Sequence, residues 1–350
     1  MQASRGRLKR TLVLALLLAL AGGPAFAAAF EDALAAYNKG DYATALRLWR
    51  PLAEAGDVGA QTNIAVMYAN GQGAAADGAE AVKWFTRAAD RGVVEAQYNL
   101  GHIYAQGRGV QRNEAEAARW YRRAADSNDA GAIFGLAVLY DEGRGVAQDA
   151  AEAARLYQRA IAKGMTAAEA RLAALLESGS GVRRDIDQAA RLYRRAAERG
   201  EARGQFGLAS LFEDGTGMAR DEAAAAQLYR RAAEQGHVGA QYALAVMLEE
   251  GKGIAGDAVQ ALNWHRRAAA QGHPYAQNTL GVAYAKAEGV PRDFVQAHMW
   301  FALSAAGGNE QAGKNRDAVQ VIMTAPQLQQ ARTMADSFRP ILESDVAVTR

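Results

Sequence analysis

The sequence predicts an all-α fold, a right-handed α-solenoid of helix-turn-helix repeats. Three observations lead to this prediction: a period of 36 residues, glycine and Asp or Asn at fixed places within it, and an apolar content dominated by Ala and Leu. Half of the 350 residues are hydrophobic, but only 8% are aromatic. The chain has no Cys, which excludes a disulfide framework, thiolate metal sites and cysteine catalysis.

The N-terminal segment, from Met1 to Ala27, has the three parts of a secretory signal peptide. Four basic residues precede an apolar run from Thr11 to Ala21, and the small-x-small triplet Ala25, Phe26, Ala27 ends the segment. The run is too short for a transmembrane helix, which needs ~20 residues. We expect cleavage after Ala27, a periplasmic or secreted chain, and no membrane insertion afterwards. The net charge would change from +2 to −2, which argues against nucleic-acid partners.

Four columns of residues recur at intervals of 36 and define each repeat. The first is Gly71, Gly107, Gly143, Gly179, Gly215 and Gly251, and a second glycine column follows it by two residues. The third is Gly56, Gly92, Asn128, Gly164, Gly200, Gly236, Gly272 and Gly308. The fourth is Asp41, Asp77, Asn113, Asp149, Asp185, Asp221, Asp257 and Asp293. Glycine closes a helix in the left-handed conformation, and Asp or Asn caps a helix start. Each repeat is therefore predicted to be helix, Gly-x-Gly loop, helix, Gly turn.

Two further patterns support paired helices. Glu or Gln stands three residues after most Asp caps, which resembles the reciprocal capping box. Apolar residues occupy one column of the first helix in every repeat: Ile64, Leu100, Leu136, Leu172, Leu208, Leu244 and Leu280. One helix pair cannot bury this face by itself, whereas stacked copies can.

The segment AQYNLGHIYAQGRGV…AARWYRRAAD, from Ala96 to Asp126, resembles the consensus of the Sel-1-like repeat family, relatives of tetratricopeptide repeats. The period gives seven repeats, at 57–92, 93–128, 129–164, 165–200, 201–236, 237–272 and 273–308. A tetratricopeptide-like hairpin is expected at 28–56, and two capping helices with a tail at 309–350. Ala287 replaces the first loop glycine of the last repeat, so that loop is expected to differ.

Residues suited to catalysis or to metal binding are not arranged in a known motif. The five His form no H-x-x-x-H pair, and we interpret His237 and His273 as solvated turn residues. The Gly-x-Gly loops lack the P-loop and dinucleotide-binding contexts, and no Ser lies in a nucleophile elbow. We therefore predict no catalytic residues, no cofactor, no metal site and no enzymatic activity.

Charged columns are interpreted as structural. Arginines recur near the end of the second helix, where a cation complements the helix dipole: Arg87, Arg123, Arg159, Arg195, Arg231 and Arg267. Carboxylates such as Asp141 and Glu142 end the first helices, where the dipole disfavours them. We expect inter-helix arginines, or a basic ligand, to compensate these carboxylates.

One aromatic column suggests a partner-binding surface. Tyr98, Phe134, Phe206 and Tyr242 each lie two residues before the core Leu, a position that the tetratricopeptide resemblance places on the concave face. Nearby candidates are Asn63, Asn99, His102 and Arg171. Aromatic rings anchor peptides well because they give a large contact area at little entropy cost. The alternative is that these rings pack between neighbouring repeats.

The resemblance implies an exported scaffold, adaptor or regulator that binds another protein or peptide on its concave face. Three alternatives remain open: a glycan-binding component of cell-envelope or polysaccharide assembly, a β-lactam or cell-wall hydrolase, and a purely structural role. The absence of a nucleophile–base arrangement weighs against the hydrolase, whereas exposed rings would suit a glycan equally.

Overall fold

A computed structural model describes residues 24–341, and within this range the chain forms eighteen helices and no strand. The helices are α1 Pro24–Asn38, α2 Tyr42–Glu54, α3 Val58–Asn70, α4 Gly78–Asp90, α5 Val94–Gln106, α6 Glu114–Asp126, α7 Ala130–Glu142, α8 Ala150–Ala162, α9 Ala167–Ser178, α10 Ile186–Glu198, α11 Ala202–Asp214, α12 Glu222–Glu234, α13 Val238–Glu250, α14 Ala258–Ala270, α15 Pro274–Lys286, α16 Phe294–Ala306, α17 Glu310–Gln320 and α18 Ala325–Ser337. This order confirms the predicted all-α solenoid class, since helix pairs follow one another at the predicted period.

The described residues form two compact units. The N-terminal unit comprises the chain up to Ala168 together with Gly179–Arg183, and the C-terminal unit comprises Glu169–Ser178 together with the chain from Arg184 onward. In the N-terminal unit each helix packs on the next, as α3 does on α4 and α4 on α5. In the C-terminal unit α11 packs on α12 and α12 on α13 in the same way. Each unit is therefore a stack of helix pairs.

Several predictions concern the ends of the chain. Most of the predicted signal peptide, residues 1–23, lies outside the described residues, as does the predicted tail from Ser344. Helices α1 and α2 cover the segment assigned to the N-terminal hairpin, although α1 begins at Pro24, before the predicted cleavage point. Helices α17 and α18 lie in the segment assigned to the cap. None of the helices between residues 24 and 341 has the length and hydropathy needed to cross a bilayer.

The Asp and Asn column begins the second helix of each repeat, as predicted. The Asp77 carboxylate, for example, accepts a hydrogen bond from the Glu80 amide at 3.0 Å. The reciprocal half of the capping box was predicted wrongly. The Asp77 N–H already donates to the Tyr68 carbonyl at the end of α3, at 3.0 Å, and is therefore not available. The Glu80 carboxylate accepts instead from Lys83 and Trp84, on its own helix.

Left-handed residues end the helices at the predicted glycine columns. Gly107 has φ 66°, and its N–H donates to the Ile103 carbonyl at 2.9 Å. Asn128, the one non-glycine member of its column, has φ 61°. The prediction of a different loop at Ala287 is wrong, because Ala287 also has φ 66° and donates to the Ala283 carbonyl. A left-handed alanine costs about 1 kcal/mol, which the capped helix end offsets.

The core of each unit contains the predicted apolar columns. All seven members of the Leu column are buried, and none exposes more than 5% of its surface. In the N-terminal unit, Trp49, Phe85 and Ile103 are among the largest fully buried side chains. Neighbouring small residues let the helices approach closely. A Cβ on Gly101 would lie 2.5 Å from the Tyr121 ring. Burial of these apolar columns stabilises the stack of helix pairs in each unit.

Candidate functional site

The aromatic column is half-buried in both units, and its rings pack between helices while keeping one part exposed. In the N-terminal unit, Tyr98 lies 5.9 Å from Tyr121 and Phe134 lies 6.0 Å from Tyr157, measured between ring centroids. Tyr98 also covers the bare backbone of Gly131, where a Cβ would approach the ring to 2.8 Å. The rings therefore pack on the second helix of their own repeat, Tyr98 also packs against the next repeat, and both rings still border the surface.

The C-terminal unit extends the column into a series of stacked rings. Phe206 stacks on His237 with centroids 4.5 Å apart, and Tyr242 stacks on His273 at 4.4 Å. Tyr275 follows, 6.1 Å from Tyr242 and 60% exposed. This large apolar ring is open to solvent at the end of a preorganised stack, and such a ring suits an anchor for a ligand.

The interpretation of His237 and His273 as solvated turn residues is wrong. Both are half-buried caps whose Nδ1 atoms accept hydrogen bonds from the amides of Ala240 and Ala276, at 3.1 and 3.3 Å. An accepting Nδ1 carries no proton. Burial, with a smaller effect from the Arg203 charge, lowers the pKa of His237 to about 4. The imidazole ring is therefore neutral at pH 7 and stacks as an apolar surface.

The other predicted partner-binding residues differ in exposure. Asn63 and Asn99 are 3% and 1% exposed, and the Nδ2 of each has no hydrogen-bond partner among the described residues. His102 is half-buried, and burial, with the Arg108 charge, lowers its pKa. Arg171 is half-buried in the C-terminal unit, where its charge acts on Glu201. Asn99 and His102 lie on one face of α5 with Tyr98, because residues three and four apart adjoin on a helix.

Two half-buried carboxylates were missed by the sequence analysis. Burial raises the pKa of Glu95 to about 7, helped by the Asp129 charge, and burial raises that of Glu201 to about 7 as well. One oxygen of each, Glu95 Oε1 and Glu201 Oε2, is buried without a hydrogen-bond partner in the part of the chain that the structure describes. A comparison of equivalent positions in successive repeats could have singled out Glu95, because this glutamate stands where the two neighbouring repeats have glycine, at Gly59 and Gly131.

The carboxylates that end the first helices have a partner that the sequence analysis did not predict. Buried rings of the second helix donate to them: Tyr157 to Asp141 at 2.9 Å, Tyr193 to Glu177 at 2.8 Å and Tyr229 to Glu213 at 2.7 Å. His265 occupies the same column beside Glu249, at 3.2 Å. Burial raises the pKa of Tyr229 most, and the hydrogen bond to the Glu213 carboxylate raises it further. These hydroxyls, which lie within the repeat, compensate Asp141, Glu177 and Glu213. Glu142 pairs with an arginine, Arg144, at 2.8 Å.

Tyr229→Phe is expected to lower the free energy of unfolding by about 1–2 kcal/mol, because the Glu213 carboxylate loses a donor. Tyr121→Phe is the matched control, since Ala105 stands where Glu213 stands in the later repeat. We expect the control to change stability little. Urea unfolding of both variants measures the difference, and equal losses would show that the hydroxyls do not act through the carboxylates.

The arginine column is structural, as interpreted from the sequence. Arg87 lies over the Trp84 ring at 4.6 Å and Arg267 over Trp264 at 4.5 Å, which are cation–π distances. Arg159 donates to the Ala125 carbonyl, at the end of the preceding second helix, at 3.0 Å. The arginines therefore satisfy helix ends and cover tryptophan rings. Between residues 24 and 341 no cluster of three or more His, Asp or Glu side chains could hold a metal ion.

Fold and surface together define an α-solenoid repeat protein with half-exposed rings on its first helices. A model of the Sel1 repeat matches seven consecutive segments, 58–93, 94–129, 130–165, 166–201, 202–237, 238–273 and 274–309. The chain therefore belongs to the Sel1 repeat family. Each matched segment begins one residue after the predicted boundary. Members of this family are generally protein–protein interaction scaffolds, and the solenoid is typically non-enzymatic.

Two solved structures are similar over most of their length. The first is c5321, a protective antigen present in uropathogenic Escherichia coli strains displaying an SLR fold. It is 31% identical, with 92% of this chain and 78% of that chain covered and a TM-score of 0.58. The second is a Sel1 repeat protein from Oxalobacter formigenes, 29% identical, with 69% and 96% covered and a TM-score of 0.63. No curated protein sequence matches the chain significantly.

Proposed function

We propose that this protein is an exported, non-enzymatic scaffold, and that within each unit it binds an extended segment of another protein across the rings of the first helices. The observation that carries the proposal is the stack of Tyr242 on His273, with Tyr275 beside it and 60% exposed. The stack fixes the rings before binding, so little side-chain entropy is lost when a ligand covers them. An extended segment advances ~3.3 Å per residue and can therefore contact several rings in turn.

Tyr275→Ala is expected to weaken the binding of a selected peptide at least tenfold, about 1.4 kcal/mol or more, because the ring is an exposed anchor. Peptides are first selected from a random dodecapeptide phage library on the immobilised mature chain, and their affinities are measured by calorimetry. Val259→Ala is the matched control, since Val259 is 73% exposed on the second helix α14.

The same measurement can refute the proposal. If the selected peptides bind Tyr275→Ala as tightly as the wild type, the Tyr275 ring is not part of the binding site. A protein that selects no peptide, but binds a glycan array through Tyr275, would instead be a glycan-binding component. Thermal unfolding should be unchanged in Tyr275→Ala because the side chain is mostly exposed.

The exported state is supported by the basic, apolar and small-residue parts of the segment from Met1 to Ala27. N-terminal sequencing of the protein isolated from its own cells should give a chain that begins near Ala28. A cytoplasmic chain that still contains Arg10 would contradict export and leave the binding proposal to be judged by the peptide measurements.

A further inference from the structure

A notch in the N-terminal unit is bordered by one ring and two carboxylates, and we call Glu95, Tyr98 and Asp129 the acidic notch. A Cβ built on Gly131 would lie 2.8 Å from the Tyr98 ring and 3.3 Å from Asp129 Oδ1. The ring edge and the carboxylate therefore flank the same point. Glu95 precedes Tyr98 by three residues on α5 and shares its face. All three side chains are at least partly exposed.

Glu95 lacks the cation that a carboxylate of this burial needs. No hydrogen bond or ion pair to it is formed within the described range, and its Oε1 is buried. Asp129, whose Oδ1 caps α7 through the Ala132 amide at 2.7 Å, adds a second negative charge. Glu169 shows the contrast, because this buried carboxylate pairs with both Arg195 and Arg199. An unpaired, partly desolvated charge is unfavourable, so a cation brought by a ligand would stabilise it.

Asn99 supplies a second, independent observation. Its side chain is 1% exposed, and neither Oδ1 nor Nδ2 has a hydrogen-bond partner among the described residues. Asn99 lies one turn after Glu95 on the same face of α5 and next to Tyr98. Buried amides without partners are rare in folded proteins and point to a water or a ligand group.

The acidic notch combines an aromatic ring with carboxylate acceptors that lack a cationic partner, and this combination favours a positively charged hydrogen-bond donor. A lysine ammonium carries three donors and an arginine guanidinium five, and either is attracted to a tyrosine ring within about 6 Å. We propose that the acidic notch binds a lysine or arginine side chain of a partner segment that lies along the rings of the N-terminal unit. This inference rests on the proposed function and specifies one residue type in the partner. A neutral sugar could offer hydroxyl donors, but it would not neutralise the carboxylates.

Glu95→Gln tests the proposal with dodecapeptides selected on the Tyr275→Ala variant, which lacks the exposed ring of the C-terminal unit. We expect the selected sequences to share a basic residue at one position, and Glu95→Gln to weaken their binding by about tenfold. Replacement of that basic residue by norleucine should weaken the binding of the peptide to the wild type. The same replacement should not further weaken its binding to Glu95→Gln. Asp126→Asn, an exposed acid on α6, is the control, and at pH 8.5, above the pKa of Glu95, it makes the same change in net charge.

The outcomes separate the two proposals. Peptides that bind but share no basic residue would overturn the cation site and leave the scaffold function standing, as would equal effects of Glu95→Gln and Asp126→Asn. Selection of no peptide on Tyr275→Ala would overturn the cation site, whereas selection of no peptide on the wild type would overturn both proposals. Folding does not confuse the result, because Glu95→Gln removes an unpaired charge and should keep or raise the melting temperature.

Discussion

Gly145→Ala is expected to lower the free energy of unfolding by about 3 kcal/mol, through two separate effects. Gly145 has φ 69°, a left-handed conformation that costs an alanine about 1 kcal/mol. Its added Cβ would also overlap the backbone carbonyl group of Glu114 and lie 2.5 Å from the Ala115 nitrogen. Backbone atoms at the start of α6 cannot move aside without shifting the helix, so overpacking adds the larger share.

Gly200→Ala is the matched control for this effect. Gly200 has φ 82°, and no atom lies within 4 Å of a Cβ built on it. Only the conformational cost remains, and we expect a loss of about 1 kcal/mol. Urea unfolding of the two variants measures the difference. Similar losses would show that Gly145 is required for its backbone conformation alone and not for contact with α6.

Arg195→Ala combined with Arg199→Ala is expected to destabilise the protein by about 3 kcal/mol or more. Glu169 is 1% exposed, and its two carboxylate oxygens pair with these two arginines, at 2.6 Å for Arg199. Removal of both partners leaves a buried, uncompensated charge. The control is Arg194→Ala combined with Arg230→Ala, which removes two exposed arginines and therefore the same number of charges. We expect this control to lower the free energy of unfolding by less than about 1 kcal/mol.

Glu169→Gln should rescue the double arginine variant. Glutamine occupies the equivalent position in five other repeats, at Gln61, Gln97, Gln205, Gln241 and Gln277. These amides are buried without a cation, as Gln97 is when its Nε2 donates to the Ala89 carbonyl at 3.1 Å. Equilibrium unfolding should therefore give nearly wild-type stability for the triple variant. Persistent instability would mean that the arginines stabilise the unit through other contacts.

The candidate site was only partly predictable from the sequence. The period placed Tyr98, Phe134, Phe206 and Tyr242 in one column, and the structure confirms that they share a position on their helices. Their packing partners were not predicted, because a partner such as Tyr121 lies on another helix, α6. Ring stacking and the half-buried state depend on how two helices cross. A sequence column does not contain that information.

The carboxylates show the same limit in another way. Their unfavourable position at the ends of first helices could be inferred from the helix dipole, and the need for a partner followed. The choice between an arginine and a tyrosine depended on which side chain of the second helix comes within hydrogen-bond distance. Tyr229 reaches Glu213 across 16 residues of sequence, and the arginines turn instead to the carbonyls of the preceding repeat.

The sequence by itself determined the fold class, the repeat number and the ends of the helices, because capping and left-handed turns act over a few residues and recur at a fixed period. The requirement for glycine in the second glycine column follows only from the tertiary structure. Gly145 lies against the start of α6, which belongs to the preceding repeat, and the bare backbone allows that approach. Tertiary structure also decided which charges are paired. Glu95 and Glu169 are both glutamates on first helices, and only the packing around Glu169 brings two guanidinium groups to it.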